Sequence, residues 1–440
     1  MFKLFNNKFT MYKLVHMDFI KEMEWRDMIH DVTPGLHEIL NIGLTSAYVG
    51  FDPTATSLHI GNLVPIMLLV HYQRCGHKPI ALVGGATGLI GDPSGKSAER
   101  NLLTIEEINH NISLIKPQLE LFLDFDLGKQ SAEIVNNMDW FKDINMISFF
   151  RDIGKNLTLN YMMAKDSVQN RMETGISFTE FSYQLIQAYD FYFLNQSKDC
   201  KVQIGGSDQW GNITAGIELI KKISGQKGYA LTTPLLTKSD GSKFGKTEEG
   251  NIWLDAQRTS PYKFYQYWMN VSDDDAKKWI KIFTIIDKKE IDEMYKIHMK
   301  EPHLRFLQKE LAKRITCRVH SNEAYHQSVR VSDILFGKQT SNRIKEVTEE
   351  EFLMVFEGVD QYKVSKSTLS QGVDPIILLT DISGAFDSKG EIRRLIQSNA
   401  ISINKIKIQT DSIITSEDLL NNKYLLIQKG KKHYSIICFE

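Results

Sequence analysis

Three apolar runs in the first half of the chain end in glycine. Ser46-Ala47-Tyr48-Val49 meets Gly50, Pro79 to Val83 meets Gly84, and Lys201 to Ile204 meets Gly205-Gly206. Short apolar runs stopped by glycine predict buried parallel strands. The helical period follows each of them. Leu63, Ile66, Met67, Leu68 and Val70 mark one helix, with Pro65 near its start and Ser57 or Thr56 able to cap it. Ile105 to Phe122, Trp140 to Phe150, Ser177 to Asn195 and Ile213 to Ile223 read as further helices, and Glu22 to His30 and Leu36 to Ile42 as two short ones before the first strand. Strands alternating with helices predict a doubly wound parallel sheet, α/β and Rossmann-like, over residues 17–258.

The pattern then changes twice. Residues 259–336 are helical throughout, rich in Lys, Asp and aromatics, and read as a helical domain. Residues 337–374 read as a connector. From Pro375 to the end the pattern is that of a small α+β module. Ser388 with Glu391 forms a helix-capping pair, and Ala400 to Lys405 and Leu425 to Ile427 read as short strands.

Composition narrows the class. The 440 residues carry a formal net charge of −1, so a nucleic-acid partner must be met by local patches. One such patch lies between Lys389 and Lys432, where nine basic residues face four acidic ones. The four cysteines are far apart in sequence, which suits a reducing compartment and argues against structural zinc. No apolar run approaches membrane-span length. Residues 1–16 carry Lys3, Lys8 and Lys13 without an acid and without a continuous apolar stretch. They read as a tail or an over-long start, with Met17 the natural beginning.

Candidate chemistry gathers where the strands end, as it does in open α/β sheets. Tyr48 to Asp52 follow the first strand, and His59 and Gly61 sit on the helix terminus after it, an anion site with an imidazole added. Asp92, Lys96 and Arg100 lie in the glycine-rich loop after the second strand, which fits neither a P-loop nor a dinucleotide fingerprint. Asp208 and Gln209 follow the third. Tyr183, Gln187 and Asp190 are spaced to share one helix face. Lys238 to Thr247 is a loop of small residues and lysines suited to phosphate capture. Each feature has a plainer reading, as turn chemistry, a surface His or a solvated loop.

Together these residues resemble the bacterial-type tyrosyl-tRNA synthetases. His59-Ile60-Gly61-Asn62 is similar to the HIGH signature, and Lys243-Phe244-Gly245-Lys246-Thr247 to the KMSKS loop. Gly84 to Lys96, Tyr183 to Asp190 and Gly205 to Asn212 resemble further family blocks, in the same order. The last module is similar to the RNA-binding domain that ends these enzymes. The resemblance covers the chain from Met17 onward.

It implies a tyrosine–tRNA ligase that uses ATP with Mg²⁺, has no tightly bound metal, acts on tRNA(Tyr), forms a homodimer and is cytoplasmic. Tyr48 and Asp190 would hold the substrate phenol. Asp92, Tyr183 and Gln187 would hold its ammonium, with Gln203 reaching the same substrate. Gly50, Asp52, Gly61, Gly206, Asp208 and Gln209 would shape the nucleotide site. His59, Asn62, Thr54, Lys96, Arg100, Lys243, Lys246 and Thr247 would stabilise the phosphates. Arg393, Arg394 and Lys405 would meet tRNA. Asn62 departs from the pattern, because it stands where a second histidine is commoner and cannot be cationic. Val49 cannot make the polar contact of a cysteine common at that position. A tryptophan-specific enzyme and a non-catalytic RNA-binding protein on a decayed scaffold are the competing readings.

Overall fold

The computed structural model describes residues 17–94, 102–172, 175–247, 250–336, 343–430 and 433–440. The chain divides into two compact units, one formed by residues up to Thr259 with Gln266–Val319, the other by Ser260–Tyr265 with His320–Glu440.

The first unit is built on a six-stranded sheet: β1 (Asp31–Val32), β2 (Ser46–Phe51), β3 (Lys78–Val83), β4 (Glu133–Asn136), β5 (Cys200–Gly206) and β6 (Tyr229–Thr233), in the order β1-β6-β5-β2-β3-β4. All neighbours are parallel except β1, which lies antiparallel on the β6 edge. From β2 the chain winds outward through β3 and β4, then returns to start β5 on the other side. The order therefore reverses between β2 and β5, and a crevice opens beyond their carboxyl ends. Tyr48 on β2 is in register with Gln203 on β5, so both side chains lie on the same face.

Two of these strands carry no clear local signal. β4 is a half-polar edge strand of four residues, and β6 contains two threonines. The helix read over Trp140 to Phe150 is not continuous. It breaks into Met138–Phe141, Met146–Ser148 and a π-helical turn over Phe149–Ile153, with Asn145 capping the second piece through bonds to the amides of Ile147 and Ser148. Ser57 and Thr56 do not cap the helix after β2. His59 does, through a short 3-10 turn that leads into Leu63–Arg74.

The helices of Gln266–Val319 belong to this same unit, so the division differs from the 259 and 336 boundaries read from the sequence. Arg26 accounts for part of this. Its buried guanidinium donates to the carbonyls of Lys281, Thr284 and Ile286, satisfying groups at the end of helix Asp273–Phe283, while Glu22 balances its charge.

The second unit carries a five-stranded sheet. Its strands are β9 (Asp360–Val364), β10 (Ile401–Ile403), β11 (Ile406–Lys407), β12 (Tyr424–Lys429) and β13 (His433–Phe439), in the order β11-β10-β12-β13-β9, and the pair β7 (Lys246–Thr247) and β8 (Gly250–Asn251) belongs to the first unit. Alternation along β12 and β13 serves two cores. Leu425, Ile427, Ile437 and Phe439 pack with helix residues Ile392 and Ile396. Tyr424, Leu426, Ile436 and Cys438 pack with Phe352, Phe356, Val331 and Ile334. β9 lies within the stretch read as a connector. The strand read over Ala400 to Lys405 stops at Ile403, because Asn404 and Lys405 take positive φ values of 49° and 67° in the turn to β11.

Candidate active site at the sheet switch point

A cavity of about 590 Å³ opens at the carboxyl ends of β2 and β5. Tyr48, Gly50, Asp52, Thr54, His59, Asn62, Asp92, Tyr183, Gln187, Asp190, Gln203, Gly206, Asp208 and Gln209 line it, as do Phe244 and Gly245. One wall is thus the first strand and its helix terminus, another the helix Phe178–Lys198.

Its deep end is buried and polar. The Tyr48 hydroxyl and Gln203 Oε1 are both buried without a hydrogen-bond partner. Such groups cost free energy unless something occupies the cavity and pairs with them. Asp190 is 1% exposed. Its carboxyl accepts from Trp140 Nε1 at 2.9 Å and from Asn137 Nδ2 at 3.1 Å. Burial pushes its pKa up to about 8, against the lowering effect of those two bonds. Burial likewise pushes the Tyr48 phenol well up, and the neighbouring Asp190 charge adds to it.

The Asp190 bonds belong to a chain. Asn137 Nδ2 also donates to Thr87 Oγ1 (3.0 Å), Thr87 donates to Asp52 (2.7 Å), and the Tyr183 hydroxyl donates to the other Asp52 oxygen (2.8 Å). Gly84 makes room for this, since a Cβ there would stand 2.1 Å from Asp52 Oδ1 and 2.2 Å from Thr87 Oγ1. A second cluster sits beside it. Asp92 accepts from Gln209 Nε2 at 2.7 Å and from the Ser94 amide at 2.9 Å, while Asn212 donates to Gln187 Oε1 at 3.1 Å. Asp208 is raised by burial first and by the Asp92 charge second.

The outer end is built from backbone and turn. His59 Nδ1 accepts from the Gly61 amide at 3.0 Å, and Asn62 Oδ1 accepts from the His59 amide at 3.0 Å, a reciprocal cap. With Nδ1 an acceptor, the neutral ring carries its proton on Nε2. Gly61 has its own constraint, because a Cβ there would lie 2.7 Å from the His59 ring. The segment is fastened to the chain after the lysine loop, by Ile60 N to Ile252 O and Leu254 N to Leu58 O.

Of the residues singled out in the sequence, Lys243 is exposed on a turn bridged to Thr237. Lys246 and Thr247 form β7, and their side chains lie outside what is described. Lys96 and Arg100 also lie outside the described residues. Arg393 and Arg394 are exposed on helix Lys389–Gln397. Lys405 donates to the Tyr434 hydroxyl at 2.8 Å, and burial lowers its pKa to about 8. The sequence reading gave no role to Thr87, Asn137, Trp140 or Asn212: Thr87 and Asn212 lie inside blocks it singled out, whereas Asn137 and Trp140 reach the site from a segment with no motif of its own.

The model for class I tRNA synthetases of the tryptophan and tyrosine group matches residues 43–337, and that for the C-terminal domain of SYY-like tyrosine–tRNA ligases matches residues 351–437. The tyrosine–tRNA ligase of Bacteroides fragilis is 56% identical over 427 residues, covering 96% of this chain and 99% of the relative. The chain belongs to the tyrosyl-tRNA synthetases. The Porphyromonas gingivalis tyrosine–tRNA ligase is 55% identical to this synthetase over 430 residues, covering 96% of this chain and all of the relative. Among solved structures, a C-terminally truncated mitochondrial tyrosyl-tRNA synthetase of Aspergillus nidulans superposes with a TM-score of 0.66 at 30% identity, covering 72% of this chain and 94% of that one.

Proposed function

We propose that the cavity binds tyrosine at its deep end and ATP at its outer end, and joins them. The tyrosine carboxylate attacks the α-phosphorus, the bond to the β-phosphate breaks, and pyrophosphate leaves. The tyrosyl group of the adenylate then passes to a ribose hydroxyl at the 3′ end of tRNA(Tyr). The observation that carries this reading is the pair of partnerless buried polar atoms, Tyr48 hydroxyl and Gln203 Oε1, in register on adjacent strands. With the Asp190 carboxyl held by Trp140 and Asn137, they make a slot for a phenolic hydroxyl. A site whose buried polar groups need the substrate hydroxyl rejects the substrate lacking it. The established case is the tyrosyl-tRNA synthetase family itself, at about 10⁵ against phenylalanine.

The rest of the site follows from its hydrogen bonds. Tyr183 spends its proton on Asp52, so its lone pairs remain for the substrate ammonium, beside Asp92 and Gln187. The reacting carboxylate needs no side-chain nucleophile. It needs positioning and stabilisation of charge on the phosphate. His59, Thr54, Lys243, Lys246, Lys96 and Arg100 supply that charge in this reading, and Thr247 a hydroxyl. Gly50, Gly61, Gly206 and Asp208 take the nucleoside. Asn62 acts through the backbone, holding the His59 amide.

Among the described residues no three His, Cys, Asp or Glu converge as a metal cage. The donor chemistry suits a magnesium ion that arrives on the ATP phosphates and neutralises them. Arg393, Arg394 and Lys405 are the proposed tRNA contacts of the second unit.

A homodimer is proposed for a separate reason. Between residues 146 and 178, Met146, Ile147, Phe150, Leu159, Met163, Met172 and Phe178 are all exposed, Phe178 by 72%. Exposed apolar surface on this scale marks an interaction site. Among the described residues no helix is long and apolar enough to cross a membrane. A cytoplasmic location, with the tRNA it acts on, is part of the same proposal.

The decisive experiment is amino-acid-dependent pyrophosphate exchange with the purified protein. Tyrosine should drive exchange, whereas phenylalanine and tryptophan should not. Exchange driven by tryptophan alone overturns the assignment of the deep end, and exchange with none of them overturns the catalytic reading.

A further inference from the structure

The loop that carries Lys243 and Lys246 is held at two points by the helical segment that follows it. One point is buried and apolar. Phe244 stacks on Phe283 with ring centroids 5.2 Å apart, meets Trp279 edge-on at 4.8 Å, and touches Trp268. The next amide, Gly245, faces the Tyr267 hydroxyl at 3.4 Å. The other point is polar. Ser239 donates its amide to Asp275 Oδ1 at 2.9 Å and its hydroxyl to Asp275 Oδ2 at 3.2 Å, and its oxygen lies 2.9 Å from Ser272 Oγ. Ser272 is the N-cap of helix Asp273–Phe283 and accepts from the Asp275 amide, so that one helix start holds both residues that meet Ser239.

Between the two points the chain is a closed turn. Lys238 N donates to Ser242 O, Gly241 N to Lys238 O, and the Ser242 amide to Asp240. Lys243 therefore follows a short hydrogen-bonded turn whose base is held at Ser239. Past Phe244 the loop reaches the helix terminus of the signature segment, where Gly245 (φ +82°) lies so close that an added Cβ would be 3.2 Å from Ile60 and 3.5 Å from the Gly61 amide.

We propose that Asp275, through Ser239, is a positioning residue for nucleotide activation: it fixes the base of the turn so that Lys243 is presented to the ATP phosphates. This rests on the reading of that lysine as a phosphate ligand. Asp275 is 5% exposed and its carboxylate accepts two bonds from one serine, a pairing strong enough to define a position. Phe244 is an apolar plug, and apolar contact is non-directional. The Ser239 clasp supplies the direction that the plug does not. It ties the start of helix Asp273–Phe283 to the loop, while Trp279 and Phe283 further along the same helix hold Phe244.

The test uses the full-length protein and single-turnover formation of tyrosyl-adenylate. Asp275→Asn should slow that step about tenfold and raise the apparent KM for ATP, the loss expected for a charge-assisted hydrogen bond. The Kd for tyrosine should stay within about twofold, because the deep end of the cavity is untouched. Ser239→Ala should give a smaller loss of about threefold, and adding it to Asp275→Ala should cost little more, since both break one clasp. Ser239→Thr should recover the rate. If Asp275→Asn lowers the thermal midpoint but leaves rate and KM for ATP unchanged, the residue is structural and the proposal fails. Lys243→Ala and Lys246→Ala separate the two readings. If they slow the step and Asp275→Asn does not, the clasp is wrong. If the lysine variants have no effect, the phosphate reading itself is wrong.

Discussion

The two ends of the cavity are made of different material. The deep end is a set of buried side chains, each held by another: Asp190 by Trp140 and Asn137, Asn137 by Thr87, Thr87 by Asp52. The outer end is backbone, glycine and turn, held by a cap of two residues and by a loop clasped from outside. In the proposed reading the difference follows from the two substrates. Distinguishing a phenol from a phenyl ring requires desolvated polar groups that are costly to leave unpaired, and only a rigid surround can keep them so. Holding a polyphosphate while its charge shifts requires cations that can follow it, and those work from a turn at the surface.

This contrast can be broken at measurable points. The largest effect belongs to the deep end. Asp190→Ala should lower kcat/KM for tyrosine by at least about a thousandfold in pyrophosphate exchange, with circular dichroism unchanged. Near-normal activation would mean that Asp190 is a structural carboxyl only. Gly84→Ala tests the surround, because its Cβ must displace either Asp52 or Thr87. Thermal unfolding should reveal a destabilisation of about 1–3 kcal/mol, and tyrosine binding should weaken with it. A silent substitution would show that the Asp52–Thr87 bond is not rigid.

Trp140→Phe removes the indole donor to Asp190 and keeps a smaller aromatic ring against Phe193. The expected loss is about tenfold in tyrosine affinity by equilibrium dialysis, with ATP affinity unchanged. Equal losses for both substrates would erase the distinction between the ends. At the outer end, Asn62→Ala should cost about 1 kcal/mol in urea unfolding, the usual value of a cap, and only a few-fold in rate.

The deep end also makes stability depend on pH. The fold raises the Asp190 pKa from about 4 in an unfolded chain to about 8. The neutral carboxyl is the form the fold favours. Its contribution is complete below about pH 4 and is lost as pH rises through about 8. Asp190→Asn cannot titrate, so its stability relative to the unaltered protein should climb between pH 4 and pH 8 and then level off. A flat difference across that window would place the titration elsewhere.

How much of this was legible beforehand depends on the range of each interaction. The strand, turn and helix terminus around His59, and the shared face of Tyr183, Gln187 and Asp190, are local and carry a period or a breaker in the sequence. The cap on the helix after β2 was misassigned to Ser57 or Thr56 because a 3-10 turn intervenes and moves it to His59. The partners of Asp190 were not legible. Asn137 and Trp140 lie 53 and 50 residues away, in a segment whose helix is broken. No spacing in a single sequence marks such a meeting.

The sequence by itself determined the class of fold, the strand ends at which chemistry gathers, the signature segments and the family to which they belong. Those are properties of short stretches, set by side-chain period, turn residues and helix ends. The tertiary structure alone decided that β2 and β5 stand side by side with Tyr48 opposite Gln203, that Thr87 and Asn137 link Asp52 to Asp190, and that Asp275 and a cluster of aromatic rings hold the lysine loop. Those contacts join residues far apart in the chain. Each depends on the closing of the whole sheet and its helices around one core, which no window of the sequence contains.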